Sequence, residues 1–309
     1  MLTIYKTSGP DLSTVPEPVN NCWISLIDPT PTEVARVQAL GVPADYLTYP
    51  LDLDERARTE HEDGQRLIIL RIPYYQGETS DVPYTTVPLG IILTEQHIIT
   101  VCKYPNDLVT ELTEVRVKDR STAKRLRLVL RILLLTANRY LANLRTITKR
   151  VDLLEDQLQQ STRNKEVLEL LKYQKSLTYF TTALKSNELM LERLDRSRLF
   201  QTYPEDEDLL DDVITENQQA IEMVNITSNI LSSMMDAFAS IISNNLNVVM
   251  KFLAAVTIVL SFPTMIASFF GMNVELPFAR HTLGFEIVLV VSVLVSIIVV
   301  FLFRKRDWL

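Results

Sequence analysis

Two uninterrupted apolar runs in the last quarter of the chain constrain its fold more than any other feature. Between residues 248 and 270 the only charge is Lys251, and between 287 and 303 there is none. Each run approaches the ~20 residues that a helix needs to cross ~30 Å of hydrocarbon. A buried hairpin in a soluble core is the competing reading, but core helices seldom stay apolar on every face over such a length. The expectation is a two-helix transmembrane domain: a first span at 247–270, a loop at 271–284, a second span at 285–303 and a basic tail at 304–309. Lys251 stands at the entry of the first span, and Arg304, Lys305 and Arg306 follow the second. The positive-inside rule then sets both termini in the cytoplasm and the loop outside. The opening MLTIYKTSGP has no apolar core of a signal peptide, so the N-terminal portion is expected to stay cytoplasmic, in a protein of the inner or plasma membrane.

Residues 1–120 read as a compact α/β domain. Strands are expected at 22–27, 66–75, 85–94 and 97–103, where Ile, Val, Leu, Tyr and Thr cluster between Pro, Gly and Asp. A helix is expected at 32–40, capped by Thr30 or Thr32, with Pro31 near its first turn and Gly41 as its terminator. From Ser121 to Phe270 there is no glycine, and Pro204 is the only proline before Pro263. That spacing predicts very long helices, divided by breaks near 161–164 and 201–204. Residues 121–204 are read as long antiparallel cytoplasmic helices and 205–246 as the cytoplasmic part of a stalk. A helix running unbroken from 205 to 270 would be on the order of 100 Å long. Arg127 and Arg131 forbid a third span at 126–135, because charges are costly at the bilayer centre. Cys22 and Cys102 are expected to remain thiols, and neither shares close ligand spacing with His61, His97 or His281. The basic cluster Arg116, Lys118, Arg120, Lys124, Arg125 and Arg127 lacks aromatic neighbours in a chain of net charge −7, so nucleic acid is not an expected partner.

The most informative pattern lies in the third long helix. Alternating steps of three and four from Asp212 meet Thr215, Gln219, Glu222, Ile226, Asn229, Ser233, Asp236, Ser240, Ser243, Asn247, Met250, Ala254, Thr257, Ser261, Thr264, Ser268 and Gly271. This heptad spacing keeps one face turned to a common axis when helices supercoil. Here that face is polar or small, and it stays so through the bilayer, where hydroxyls avoid hydrocarbon by facing other helices or water. A two-span chain cannot enclose a lumen alone, so the stripe implies a symmetric homo-oligomer around a central pore. Tight helix packing through small residues is the plainer alternative. Rings of Asp212, Glu222 and Asp236 would repel unless cations or water separated them, which favours a cation pathway. Met250 and Leu253, just above Asn247, suit an apolar constriction that closes by dewetting; plain packing explains Leu253 equally well.

The first span ends in Gly271, Met272 and Asn273, followed by Glu275. In this setting, with YPEDED, SNNLNVVMK, PTMIASFFGMNVE and RKRDWL, the chain closely resembles the CorA family of magnesium channels. The resemblance implies an α+β cytoplasmic domain, long stalk helices and a two-helix transmembrane domain, assembled as a funnel-shaped homopentamer. It implies a selectivity filter of Gly271, Met272 and Asn273, with Glu275 at the outer entrance. A neutral carbonyl oxygen suits hydrated Mg²⁺, which gives up water reluctantly. It further implies regulation by cytosolic Mg²⁺ on carboxylates: Asp212 matches one ligand position and Asp236 another acidic position. The expected partner acid is Gln76 here, so either Glu78 substitutes or the site is weakened. Mg²⁺ is thus both the transported and the regulatory ion, and the lipid bilayer and divalent cations are the other expected partners. The acidic run Glu205, Asp206, Glu207, Asp208, Asp211 and Asp212 either holds hydrated Mg²⁺ loosely or serves as an ordinary acidic helix start.

No nucleotide-binding loop of the form G-x-x-x-x-G-K-[ST] occurs, so transport is expected to be passive, driven by membrane potential. Co²⁺ or Ni²⁺ are possible further cargoes. A zinc transporter of the same fold and a non-conducting membrane sensor or scaffold are the alternatives; the full GMN triplet speaks against the first and the stripe against the second. No grouping of nucleophile, base and orienting residue points to an enzyme.

Overall fold

The computed structural model describes residues 1–8, 11–114, 121–160, 164–201, 203–272, 283–306 and 308. The chain divides into two units, Met1–Ser233 and Met234–Leu309.

The first unit is built on a seven-stranded sheet: β1 (Leu2–Ser8), β2 (Asp11–Thr14), β3 (Cys22–Ile27), β4 (Arg58–Glu62), β5 (Gln65–Tyr75), β6 (Tyr84–Leu93) and β7 (His97–Cys102). Their order is β2-β1-β3-β7-β6-β5-β4, parallel between β3 and β7 and antiparallel elsewhere. The four expected strands are present within a residue or so. Strands β1, β2 and β4 add to them: β2 has only four residues, and β4 reads RTEHE and is specified by pairing with β5 rather than by its own apolar residues.

Both faces of the sheet are covered, so its central strands read as continuous apolar runs rather than alternating ones. On one face Ile4, Ile24, Leu67, Ile69, Ile92 and Ile99 pack on Val37, Tyr46 and Leu47 of two short helices, α1 (Pro31–Gln38) and α2 (Ala44–Thr48). Thr30 caps α1 in a reciprocal capping box: the Glu33 N–H donates to its hydroxyl, while the Thr30 N–H donates to the Glu33 carboxylate. Gly90 of β6 meets this layer so closely that a Cβ there would lie 2.2 Å from Cγ of Pro50. The opposite face, with Trp23, Ile68, Leu70, Ile72, Leu89 and Ile91, packs on the long helices. Trp23 is buried, and its indole N–H donates to Oγ1 of Thr100 at 2.9 Å.

The helices that follow are α3 (Asp107–Glu114), α4 (Arg125–Gln160), α5 (Asn164–Arg196) and α6 (Pro204–Phe270). A buried polar join ties β5 to them. The Arg71 N–H donates to Oδ1 of Asn187 on α5, and the Arg71 carbonyl accepts from Nδ2 of Asn187 and the Tyr140 hydroxyl of α4, at 2.8 and 3.0 Å. Phe180 fills the space beside Tyr140, their rings edge to face at 5.0 Å. At the start of α6 the acidic run closes the bundle: Arg127 pairs with Asp206 at 2.6 Å and Glu205 at 2.8 Å. That hydrogen-bonded carboxylate holds the Arg127 guanidinium above its ordinary pKa. Part of the acidic run therefore has a structural role. Arg116, Lys118 and Arg120 lie outside the described residues.

The second unit comprises the later part of α6 and α7 (Gly284–Lys305), both long and apolar enough to cross a membrane. Helix α6 is continuous for 67 residues, and Pro263 within it brings no N–H to the carbonyl of Val259. After α7 the Trp308 N–H donates to the Phe303 carbonyl, and its ring stacks on Phe303 at 5.5 Å.

Candidate functional site: a polar seam and an acidic turn

Helix α6 carries two heptad seams in the first unit. Leu210, Val213, Asn217, Ala220, Val224, Thr227 and Leu231 are buried. Asn217 donates to the Leu184 carbonyl of α5, and Thr227 meets Thr148 of α4 at 3.2 Å. Asp212, Thr215, Gln219, Glu222, Ile226, Asn229 and Ser233 are exposed. The second seam trails the first by two residues, or about 200° around a helix of 3.6 residues per turn. The polar seam therefore turns away from the core of its own unit.

In the second unit Ala255 is buried and Val256, Val259, Phe262, Pro263 and Ile266 are half-buried, again one face. Asn247, Met250, Leu253, Ala254, Thr257, Ser261, Thr264, Ser268 and Gly271 are exposed. Leu260 and Phe269 are exposed too, so chemistry rather than burial distinguishes the stripe here. The hydroxyls of Thr257, Ser261 and Thr264 donate to the carbonyls of Leu253, Thr257 and Leu260 at 2.8, 2.7 and 2.9 Å. With their protons committed to the helix, these oxygens present lone pairs outward. That polarity attracts cations and repels anions, and it leaves each hydroxyl satisfied in an apolar medium.

The helix closes at Gly271, whose N–H donates to Ala267 and Ser268 carbonyls, and the Met272 N–H donates to Phe269. A Cβ at 271 would stand 3.5 Å from its nearest neighbour, an ordinary contact, so nothing among the described residues demands glycine there. Asn273 and Glu275 lie outside the described residues.

Of the three carboxylates expected to sense metal, Asp212 is exposed in the first unit and Asp236 is exposed in the second. Glu78 lies in the turn between β5 and β6. Gln76, at the position where an acid was expected, closes that turn: its N–H donates to Pro83 and its side-chain oxygen accepts from Ser80. Glu78 lines a cavity of about 200 Å³ with Tyr75, Tyr84, Tyr173, Lys149 and Arg150. Burial, helped by Tyr75, Tyr173 and Glu78, pushes the Tyr84 phenol up to about 12. Carboxylate oxygens are the donors that Mg²⁺ prefers. Among the described residues, however, no three His, Cys, Asp or Glu side chains gather around one point in a single chain, so such an ion would need water or another copy to complete its shell. The cations facing Glu78 gave no local signal in the sequence, because Arg150 is remote along the chain. Cys22 and His97, also distant in sequence, meet at 3.3 Å on β3 and β7.

A family model described as "CorA-like Mg2+ transporter protein" matches residues 20–305. The cobalt/magnesium transport protein CorA of Methanocaldococcus jannaschii is 29% identical over 297 residues, covering 93% of this chain and 91% of the relative. The protein of the same name from Thermotoga maritima is 24% identical over 293 residues, or 93% of this chain and 83% of the relative. The complete structure of the M. jannaschii CorA magnesium transporter superposes with a TM-score of 0.85 at 26% identity, covering 100% of this chain and 99% of that one.

Proposed function

Because the chain belongs to the family of CorA-like Mg²⁺ transporter proteins, we propose that it conducts divalent cations, Mg²⁺ foremost, passively across a membrane. The observation that carries this reading is the seam of α6, whose hydroxyl protons are turned onto the helix and whose oxygens face outward. Several copies placing this seam on one axis would enclose an acceptor-lined lane; five copies is the number that the family resemblance implies. Thr257, Ser261, Thr264 and Ser268 line the lane, with Ala254 leaving it width and Asn247 at its cytoplasmic mouth. Met250 and Leu253 form the constriction.

Gly271, Met272 and Asn273 form the filter at the outer end, where carbonyl oxygens accept hydrogen bonds from water held by the ion. Glu275 raises the local cation concentration beside it. Keeping that water avoids most of the dehydration cost. An inside-negative potential contributes ~2.3 kcal/mol per charge per 100 mV, doubled for a divalent ion, and can drive uptake with both termini in the cytoplasm. Mg²⁺ arriving on Asp212, Asp236 and Glu78 closes the lane again. The names of the relatives make Co²⁺ a second cargo to test.

The test is influx of Mg²⁺ into liposomes holding the purified protein and a Mg²⁺-sensitive dye. Wild type should carry Mg²⁺, and Asn273→Ala should lose most of that flux. Equal flux in the variant would remove the filter from residue 273, and no flux in wild type would remove the transport reading.

A further inference from the structure

Glu78 faces cations rather than other carboxylates. Its oxygen lies 4.0 Å from the guanidinium of Arg150, and Lys149 lines the same cavity. Arg150 shares the cavity with the Tyr173 phenol, and its enclosed Nε has no hydrogen-bond partner among the described residues. Glu78 is the more exposed member of the pair, with 68% of its side chain exposed against 41% for Arg150. At 4.0 Å the contact is too long for a hydrogen bond, so it is a Coulombic attraction in partly wet surroundings. Such a contact holds a carboxylate without locking it. A divalent ion on Glu78 would take the place of this guanidinium, because two cations repel across the same oxygens.

We infer that Arg150 is a tethered cation that competes with Mg²⁺ for Glu78, so that the chain closes at a higher Mg²⁺ concentration than its carboxylates alone would set. The inference rests on the regulatory role proposed above for Glu78. Its size is bounded by exposed ion pairs, which shift an equilibrium by no more than roughly five-fold. As Mg²⁺ rises, Glu78 passes from the guanidinium to the ion, and Arg150 stays beside Tyr173 in the cavity. Glu78 thus has a resting partner when Mg²⁺ is scarce, which keeps it from capturing the ion at low concentration.

The experiment uses full-length protein and two readouts: the Mg²⁺ concentration that half-protects it from proteinase K, and the concentration that half-inhibits flux. Arg150→Gln should lower both about two- to five-fold, whereas Arg150→Lys, which keeps the charge, should stay near wild type. Glu78→Gln should raise both, and adding Arg150→Gln to it should change nothing further. If Glu78→Gln raises the threshold but Arg150→Gln leaves it unmoved, or acts equally in the Glu78→Gln background, the competition is overturned and Glu78 remains a sensor. A shift by Arg150→Lys as large as that by Arg150→Gln also overturns it, since packing rather than charge would be at work. If Glu78→Gln leaves the threshold in place, Glu78 is no ligand, and both the inference and its premise fall.

Discussion

The two units of this chain solve the burial problem in opposite ways. In residues 1–233 the largest aromatic side chains of the core find partners within the chain: Trp23, Tyr46, Tyr140 and Phe180 are at most 2% exposed. In residues 234–309 Leu260, Phe269, Phe285 and Phe301 are between 54% and 76% exposed, while Ala255 is fully enclosed. The first unit carries its own interior; the second leaves large apolar side chains exposed on two helices long and apolar enough to cross a membrane. One helix serves both. Upstream, α6 keeps a buried, mostly apolar seam for its own bundle, and downstream apolar residues such as Leu260 and Phe269 stand exposed as well, while the polar stripe keeps its spacing. Substitutions should accordingly unfold the first unit and leave folding of the second nearly unchanged.

The largest effect expected is from Phe180→Ala, which empties a site between Tyr140 and Tyr84 and should cost about 3–5 kcal/mol in urea unfolding followed by far-ultraviolet circular dichroism. A cost under about 1 kcal/mol would mean that the bundle collapses into the gap. Next comes Asp206→Asn, which removes the charge facing Arg127. The expected loss is about 2–3 kcal/mol, below the ~3–5 of a fully orphaned buried charge because Glu205 remains beside the guanidinium.

A smaller change follows pH. Burial, with Arg125 and Lys6 nearby, lowers the pKa of His97 below its ordinary 6.5, so the fold favours the neutral ring. Its contribution is complete above pH ~6.5 and declines as pH falls below that value, because the unfolded chain takes up its proton first. Melting temperature should fall between pH 7.5 and 5.5, and less steeply in His97→Gln; parallel profiles would exclude His97. The smallest effect on stability is expected from Thr257→Val, within about 0.5 kcal/mol for a position outside the packed face. It should nonetheless reduce Mg²⁺ influx. A variant that conducts normally, or that fails to fold, would break the contrast between the units.

What could be read from the residues follows the same division. Long-range regularity was legible: the spans, the unbroken α6 and the polar seam all repeat with the period of a helix, and the glycine gap marked the long helices. Contacts across the chain were not. Strand β2 has four residues, too few to carry a pattern, and β4 takes its place from the register of β5. The seam at Leu210, Val213 and Ala220 was overlooked because apolar and polar residues interleave along α6, and only packing tells which set faces inward. Glu78 was located from its distance beyond β5, but its partners Arg150 and Tyr173 lie on α4 and α5 and meet it only in the folded unit.

The placement of the tryptophans has a practical consequence. The chain contains two, Trp23 in the sheet of the first unit and Trp308 beyond the last helix of the second. Trp23 is enclosed and hydrogen-bonded through its indole, while Trp308 is 37% exposed and stacked on Phe303. Their emission should differ in colour and in access to quenchers dissolved in lipid or in water. Replacing Trp308 with Phe leaves a protein whose fluorescence reports the sheet of the first unit alone, and the difference spectrum then reports the end of the last helix, with no attached dye.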